Sequence, residues 1–283
     1  PDVVESACLA HDLGHPPFGH VGESELNKKV EKTDRDGFEG NAQSFRILTK
    51  LAVRFPKIDG LDLTRATLAA VLKYPWLRDK DHPDRSAKWN AYSTEQEDFD
   101  FALECIKPLE RSAEAEIMDF ADDIAYSVHD LEDFHRCGVI PWHLLNDSAE
   151  QERLVTSALK SWHNAPAEAE GLLRKALLTL AKPVFLADQV KRPYDGTKEQ
   201  RKNLRFLTSQ LIGRYIGCFS VGEPEQAKET GSAILIPDTY VAEIKLLKQI
   251  TKEYVIKNPA LSAQQHGYKK IVSNLFDEFC DDI

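Results

Sequence analysis

The residues best suited to chemistry lie in one block near the start of the chain, between positions 10 and 23. Five side chains there can bind a metal or carry a proton: His11, Asp12, His15, His20 and Glu23. An imidazole nitrogen beside a carboxylate oxygen can bind one divalent cation, and such mixed ligation suits a cation that must also hold phosphate and water. The block therefore predicts a divalent metal site.

The spacing inside the block predicts how its side chains are held. His11 and His15 lie one helical turn apart, so one helix face would carry both. The pair Pro16-Pro17 would end that helix, because each proline lacks an N–H and disfavours helix in the residue before it. His20 and Glu23 follow the prolines and would turn back toward the metal.

The elements that must position these residues are predicted to be helical nearly everywhere, because apolar residues recur at intervals of three and four. The segments are 3–10, 45–52, 63–72, 117–134, 172–180, 204–218 and 241–255. Period-two alternation is rare and predicts one short hairpin between Val221 and residues 233–237. Residues 78–97 are predicted to form a polar loop.

We find no internal repeat and no long linker, which predicts a single, mainly α-helical domain over residues 1–283. The chain opens directly in an apolar-periodic helix. Because domains rarely begin inside a core helix, we expect further residues before Pro1.

The predicted helix over 117–134 places its apolar residues on one side and four polar residues on the other: Asp122, Tyr126, Asp130 and Asp133. Two interpretations stay open. The polar face is a solvated acidic surface, or Asp122, Tyr126 and Asp130 line a pocket. These carboxylates lack the basic residue at i+4 that usually relieves their repulsion, and a bound cation would supply that relief.

Composition limits the function classes. No apolar run approaches the ~18–20 residues that span a bilayer, and the first residues given do not show a signal-peptide pattern. The five cysteines are scattered without a CxxC pair, which predicts buried thiols in a reducing, cytoplasmic compartment. The net charge of −10 disfavours broad binding to a phosphate backbone but permits a local basic pocket for a small polyphosphate.

Three segments together carry a family resemblance. Residues 11–23 (HDLGHPPFGHVGE), 38–43 (FEGNAQ) and 121–126 (ADDIAY) resemble the deoxynucleoside triphosphate triphosphohydrolases, the dGTPase-like members of the HD superfamily. Residues 72–75 and 251–256 are similar too, and the segments follow the family's order. The resemblance implies an all-α HD-domain fold, here with the one small hairpin. It also implies cleavage of a dNTP into a deoxynucleoside and inorganic triphosphate.

The resemblance implies a site for Mg²⁺ or Mn²⁺ in which His11, Asp12 and Asp122 are metal ligands. The family uses a fourth ligand, a histidine on an earlier helix, and we expect it before Pro1. The other histidines that could replace it are His82, His129 and His135.

The resemblance also implies the catalytic and substrate residues. His20 matches the catalytic histidine, Glu23 its carboxylate partner, and His15 a position that is histidine in some members. Tyr126 and Asp130 are implied to contact the deoxyribose 3′-hydroxyl. Lys73 and Tyr74 are implied to contact phosphate and sugar.

Two other interpretations remain: another HD-superfamily nucleotidase or phosphodiesterase, or a nucleotide-binding protein without turnover. A two-metal phosphodiesterase would need more histidines between His20 and Asp122 than the single His82. Lys88 and Arg46 could contact phosphate or simply be solvated, and Trp89, Tyr92 and Phe99 could stack on a base or form core. The family further implies a homo-oligomer and a nucleotide or single-stranded DNA effector.

Overall fold

The computed structural model describes residues 1–181, 193–223 and 231–281, and these are mainly α-helical. The α-helices are α1 (Asp2–Ala10), α2 (Gly19–Val30), α3 (Gly40–Arg46), α4 (Arg65–Ala70), α5 (Pro83–Ala87), α6 (Gln96–Leu103), α7 (Ala113–Arg136), α8 (Ser148–Ser161), α9 (Ala169–Leu180), α10 (Lys198–Ile216), α11 (Asp238–Thr251) and α12 (Pro259–Asp281). Short π-helical turns follow α3 and α11, at Ile47–Leu51 and Lys252–Ile256. Two 3₁₀ turns lie at Ser93–Glu95 and Trp142–Asn146. The predicted fold class is confirmed.

Packing divides the chain into two compact units. Unit 1 contains residues 1–120, 230–233 and 263–283, and unit 2 contains residues 121–229 and 234–262. The single domain predicted over 1–283 stays a prediction.

The core of unit 1 forms where α1, α3, α4, α6 and the first turns of α7 pack together. Its fully buried side chains include Phe45, Leu48, Leu72 and Met118. Burial of such side chains supplies most of the favourable free energy of folding, about 1.5–3 kcal/mol for each. This core holds the helix ends from which the proposed site residues extend.

Side-chain caps fix where several helices begin. Glu39 accepts hydrogen bonds from the amides of Asn41 and Ala42 at the start of α3. Thr64, Asp147 and Thr197 cap α4, α8 and α10 in the same way. Each cap satisfies amides that have no partner within the helix.

Unit 2 is built largely on the apolar faces of α8, α9 and α11, with Leu154, Leu173 and Leu246 fully buried. It also contains the predicted hairpin, in which β1 (Ser220–Val221) pairs antiparallel with β2 (Ile234–Leu235). Residues 224–230, within its connection, lie outside the described residues.

The prediction that the cysteines are buried is wrong for most of them. All five are free thiols, but Cys218 alone is buried, Cys8 is half-buried, and Cys105, Cys137 and Cys280 are exposed. Within the described ranges, no helix has the length and apolarity to cross a bilayer.

Candidate active site

The segment from His11 to Gly14 is a turn and not the helix that the spacing predicted. Helix α1 ends at Ala10, so His11 and His15 do not share a helix face, and this prediction is wrong. The prolines are not what ends the helix, because the chain leaves it earlier to pack against α3. The amide of Gly14 donates to Ser44 Oγ at 2.9 Å, and a Cβ at Gly14 would lie 2.2 Å from the Ser44 nitrogen.

A single hydroxyl fastens both ends of this turn. Ser44 Oγ accepts from Gly14 and donates to the carbonyl oxygen of His11 at 2.6 Å. Ser44 is 2% exposed, so water does not compete for these bonds. The sequence contained no signal that singled out Ser44.

The orientation of His11 is set from α1. Its Nδ1 lies 2.8 Å from the carbonyl oxygen of Cys8, which can only accept, so Nδ1 carries a proton. Nε2 in turn lies 3.3 Å from Asp12 Oδ2. A histidine that donates one N–H to a carbonyl and presents the other nitrogen has the usual arrangement of a metal ligand.

The third residue of the predicted metal site is carried by α7. This helix runs unbroken from the core of unit 1, where Met118 is fully buried, and Asp122 follows one turn later. One ligand atom each from His11, Asp12 and Asp122 lie within 4.8 Å of one another. An imidazole nitrogen with two carboxylate oxygens is a donor set that can hold a divalent cation. No such group in the part of the chain that the structure describes includes His82, His129 or His135.

His20 and Glu23 lie together on the first turn of α2. Phe18 and Gly19 both have positive φ, 65° and 58°, and this reversal starts the helix directly before His20. The imidazole Nδ1 is 3.0 Å from Glu23 Oε2, and the His20 side chain is 77% exposed. The His15 ring lies edge-on to it at 5.5 Å between centroids. The imidazole therefore has Nδ1 hydrogen-bonded to a carboxylate, while most of its surface is open to solvent.

The carboxylate behind His20 belongs to a buried ionic cluster that sequence reasoning missed. Glu23 Oε1 accepts from Lys88 Nζ at 2.6 Å and from the Gly40 amide at 3.3 Å. Lys88 also donates to Glu39 Oε1 at 2.9 Å. From the sequence, Lys88 could either contact phosphate or be solvated. The structure places it between the carboxylates of Glu23 and Glu39, which are 7% and 1% exposed.

Burial and hydrogen bonding act against each other in this cluster. Burial by itself raises the pKa of Glu23, but hydrogen bonds from His20 and Lys88 outweigh it and hold that pKa well below its usual range. At Glu39 the effect of burial is larger than that of the interactions with Lys88 and Asn41, and the pKa of Glu39 is raised. Burial lowers the pKa of Lys88, but the two carboxylates more than offset it and keep the ammonium charged.

Lys73 and Tyr74 are held by neighbours in unit 1. Lys73 Nζ lies 2.6 Å from Asp119 Oδ1, and Arg111 approaches the other oxygen of Asp119 at 2.7 Å. The Tyr74 amide donates to Asn90 Oδ1 at 2.7 Å. Two cations on one carboxylate make a locally basic patch on the surface of a chain that is acidic overall.

Tyr126 and Asp130 interact with each other in unit 2. The Tyr126 hydroxyl hydrogen-bonds to Asp130 one turn later, and burial raises the pKa of both groups. Asp130 is half-buried and Asp133 exposed, so the polar face of α7 is not uniformly solvated. The opposite, apolar face is buried as predicted, with Val128 and Leu131 each 1% exposed.

Other sequence candidates have structural roles. Trp89, Tyr92 and Phe99 are buried, as the core interpretation expected. Arg46 pairs with Glu95 at 3.1 Å and lies over the Tyr92 ring. A further pair of basic residues, 191–192, lies outside the described residues.

Several known proteins similar to this chain carry the same name. It is 36% identical over 290 residues to the deoxyguanosinetriphosphate triphosphohydrolase-like protein of Corynebacterium glutamicum, covering 98% of this chain and 66% of the relative. Proteins of that name from Streptomyces coelicolor and Bifidobacterium longum are 37% and 38% identical over 288 and 296 residues. They match 97% and 98% of this chain, and the chain spans 65% and 59% of their lengths. No family model matches the chain.

Proposed function

The chain belongs to the family of deoxyguanosinetriphosphate triphosphohydrolase-like proteins, and from that membership we propose that it hydrolyses deoxynucleoside triphosphates with the help of a divalent metal. The products are a deoxynucleoside and inorganic triphosphate. Water adds to the α-phosphorus, the bond from phosphorus to the 5′ oxygen breaks, and that oxygen takes up a proton. The proposal is strongest for dGTP-like substrates, which the relatives' name specifies.

His11, Asp12 and Asp122 are the proposed ligands of Mg²⁺ or Mn²⁺. When bound, the cation neutralises charge on the phosphates and polarises the α-phosphoryl group. The chain itself supplies the orientation, since the Cys8 carbonyl fixes the tautomer of His11 and Ser44 fixes the turn that carries it. That preorganisation is the protein's contribution to stabilising the developing charge.

His20 is the proposed acid/base group. Its Nδ1 donates to Glu23, so the exposed Nε2 is the atom that exchanges a proton with the reacting oxygen. An imidazole suits this role because it titrates near neutrality. His15, whose ring contacts that of His20, is proposed to help hold it in place.

Four further residues are proposed to bind substrate. Tyr126 and Asp130, already joined by a hydrogen bond, would contact the deoxyribose 3′-hydroxyl. Lys73 and Tyr74 would contact phosphate and sugar. Lys73 would exchange its bond to Asp119 for a phosphate oxygen, while Arg111 still neutralises Asp119.

One observation carries the proposal: the residues that match the family's metal ligands have ligand atoms within 4.8 Å of one another. The test is incubation of the full-length protein with each dNTP and Mg²⁺ or Mn²⁺, followed by chromatography of the products. We expect deoxynucleoside and inorganic triphosphate. Monophosphate or orthophosphate would instead indicate a nucleotidase or phosphodiesterase, and binding without turnover a nucleotide-binding protein.

The cellular setting and assembly are proposed on other grounds. Five free thiols support a reducing compartment, and we propose the cytoplasm. A homo-oligomer and a nucleotide or single-stranded DNA effector are proposed from the family resemblance.

A further inference from the structure

Hydrogen bonds between the two ends of the loop from Trp76 to Asn90 close it and fix the position of Lys88. The Asn90 amide donates to the Trp76 carbonyl at 3.2 Å, and Trp76 Nε1 donates to the Lys88 carbonyl at 2.7 Å. The Asn90 side chain accepts from Tyr74 and donates to the carbonyl oxygen of Asn41. The backbone of Lys88 is thus anchored beside the start of α3.

The ammonium of Lys88 is anchored as well, through Glu39. Glu39 is 1% exposed and cannot move freely, because its Oε2 accepts from the amides of Asn41 and Ala42 at 2.5 and 3.0 Å. Its Oε1 accepts from Lys88. A chain of bonds therefore runs from the amino terminus of α3 through Glu39 and Lys88 to Glu23, and from there to His20.

We propose that Lys88 is a positioning residue for the hydrolysis: its ammonium, held by Glu39, fixes the Glu23 carboxylate so that His20 keeps one orientation and one tautomer. This inference rests on the proposed function for its catalytic meaning. The two oxygens of Glu23 have separate partners, Lys88 on Oε1 and His20 on Oε2. When Lys88 holds Oε1 in place, the position of Oε2, which accepts from His20, is fixed as well.

Removal of the ammonium would disturb this arrangement in a defined way. Glu23 and Glu39 would be left as two buried carboxylates without a counter-charge, and such groups protonate or rotate to reach water. A protonated or displaced Glu23 no longer accepts a hydrogen bond from His20 Nδ1. The imidazole then loses its fixed tautomer, while the positions of Lys73, Tyr74 and the proposed metal ligands stay unchanged.

The test compares Lys88→Met with Lys88→Arg in the full-length protein. Lys50→Met is the matched control, because Lys50 also forms a 2.7 Å ion pair in unit 1 and has a similarly exposed side chain, 37% against 30%. We expect Lys88→Met to lower kcat about 10- to 100-fold, by analogy with the loss caused by removing a residue that orients a metal-binding histidine. KM should change little, Lys88→Arg should recover most of the activity, and Lys50→Met should match wild type.

The pH profile separates positioning from a general loss of structure. Without Lys88, less opposes the effect of burial, which raises the pKa of Glu23, so its carboxylate protonates at higher pH. The acidic limb of the plot of kcat against pH should therefore shift to higher pH. A loss of kcat that merely parallels a fall in Tm, with the acid limb unmoved, would overturn the proposal.

A second measurement does not need turnover. Histidine ¹H–¹⁵N spectra, with the His20 signals assigned through His20→Gln, report which ring nitrogen is protonated. We expect protonated Nδ1 in wild type and mixed tautomers in Lys88→Met, even if wild type hydrolyses no dNTP and the proposed function fails. An unchanged His20 tautomer in Lys88→Met would refute the positioning role by itself.

Discussion

The tautomer of an imidazole decides whether a given nitrogen can bind a metal or move a proton, and two histidines of this chain have theirs set by different partners. His11 donates Nδ1–H to the carbonyl of Cys8, a neutral acceptor. His20 donates Nδ1–H to the carboxylate of Glu23, a charged acceptor. The first environment suits a metal ligand and the second a proton-transfer group.

At this scale we predict that His20→Gln lowers kcat by about 10²–10⁴-fold, the usual contribution of a general acid or base. The amide can replace the hydrogen bond to Glu23 but cannot exchange a proton. The measurement is dNTP turnover at saturating metal. His129→Gln, an exposed histidine on α7, is the control and should keep wild-type turnover. A His20→Gln variant with more than a tenth of wild-type kcat would remove His20 from the chemistry.

Residue types and spacing predicted part of the site and not its support. His20 and Glu23 were expected to pair because they are three residues apart and resemble the family's dyad, and they do lie 3.0 Å apart. The contacts that Lys88 and Ser44 make with the site were not predicted, because each joins residues that are far apart in the chain. Lys88 is 65 residues from Glu23, and Ser44 is 33 from His11. Only the fold brings such pairs together.

At the scale of elements, the short helix α3 supports both halves of the chemical block. Ser44 fastens the turn that carries His11, and Glu39 at the cap holds the lysine that binds Glu23. Gly40 allows the approach on the other side, since a Cβ there would lie 2.9 Å from His15 Nδ1. One helix end thus holds both the proposed metal ligand His11 and, through Lys88, the His20–Glu23 pair.

The close approach of Gly14 to α3 gives a testable prediction. Gly14→Ala would place a methyl group 2.2 Å from the Ser44 backbone nitrogen, so the turn must move. We expect a loss of about 1–3 kcal/mol in the free energy of unfolding and weaker Mn²⁺ binding, measured by denaturation and calorimetry.

The matched control is Gly213→Ala, within α10. Nothing lies within 4 Å of a Cβ at Gly213, so alanine should stabilise the protein, by about 0.5–1 kcal/mol. Equal stability and metal affinity of Gly14→Ala and wild type would show that the turn does not depend on this contact.

The elements themselves were largely predictable, and their ends were not. Apolar periodicity predicted helix over 117–134, and α7 spans Ala113–Arg136. It also extended helix α1 through His15, because local spacing carries no information about the hydrogen bond from Gly14 to Ser44. Five helices were not among the predicted segments: α2, α5, α6, α8 and α12. The prediction of a loop over residues 78–97 is wrong in part, because α5 lies within it. In α12, exposed apolar residues make the periodic pattern less distinct.

At the scale of the whole molecule, each unit contains a buried carboxylate that is held ionised. In unit 1 this is Glu23. In unit 2 it is Glu253, whose side chain is 5% exposed and accepts hydrogen bonds from Arg153, Ser157, Gln249 and Lys257 at 2.6–2.8 Å. Burial alone would raise the pKa of Glu253, but hydrogen bonds led by those from Lys257 and Ser157 outweigh it and lower the pKa to about 2.

This lowered pKa predicts acid destabilisation. A group whose pKa is lower in the folded than in the unfolded state contributes stability above its unfolded pKa, and that stability is lost as pH falls. The contribution of Glu253 should be complete above pH 4.5 and disappear as pH falls toward 2. Glu253→Gln should therefore lower Tm at pH 7, and the difference from wild type should narrow between pH 4.5 and 2.

Thermal denaturation across that range checks the prediction. Glu170→Gln is the control, because its carboxylate is 58% exposed and pairs with Arg174 on the surface. Its Tm should follow wild type at every pH. A constant Tm difference between Glu253→Gln and wild type would argue against a lowered pKa.

The central claim is that the group formed by His11, Asp12 and Asp122 supports metal-dependent release of inorganic triphosphate. The most direct measurement is a time course in which the full-length protein or one of two variants reacts with dGTP and Mn²⁺. Samples are taken at intervals, Mn²⁺ is removed from them, and the products are identified by ³¹P NMR. Asp122→Asn should abolish the triphosphate signal and weaken Mn²⁺ binding, whereas Asp133→Asn, exposed on the same helix, should match wild type. Triphosphate released at the wild-type rate by Asp122→Asn, or orthophosphate as the wild-type product, would contradict the claim.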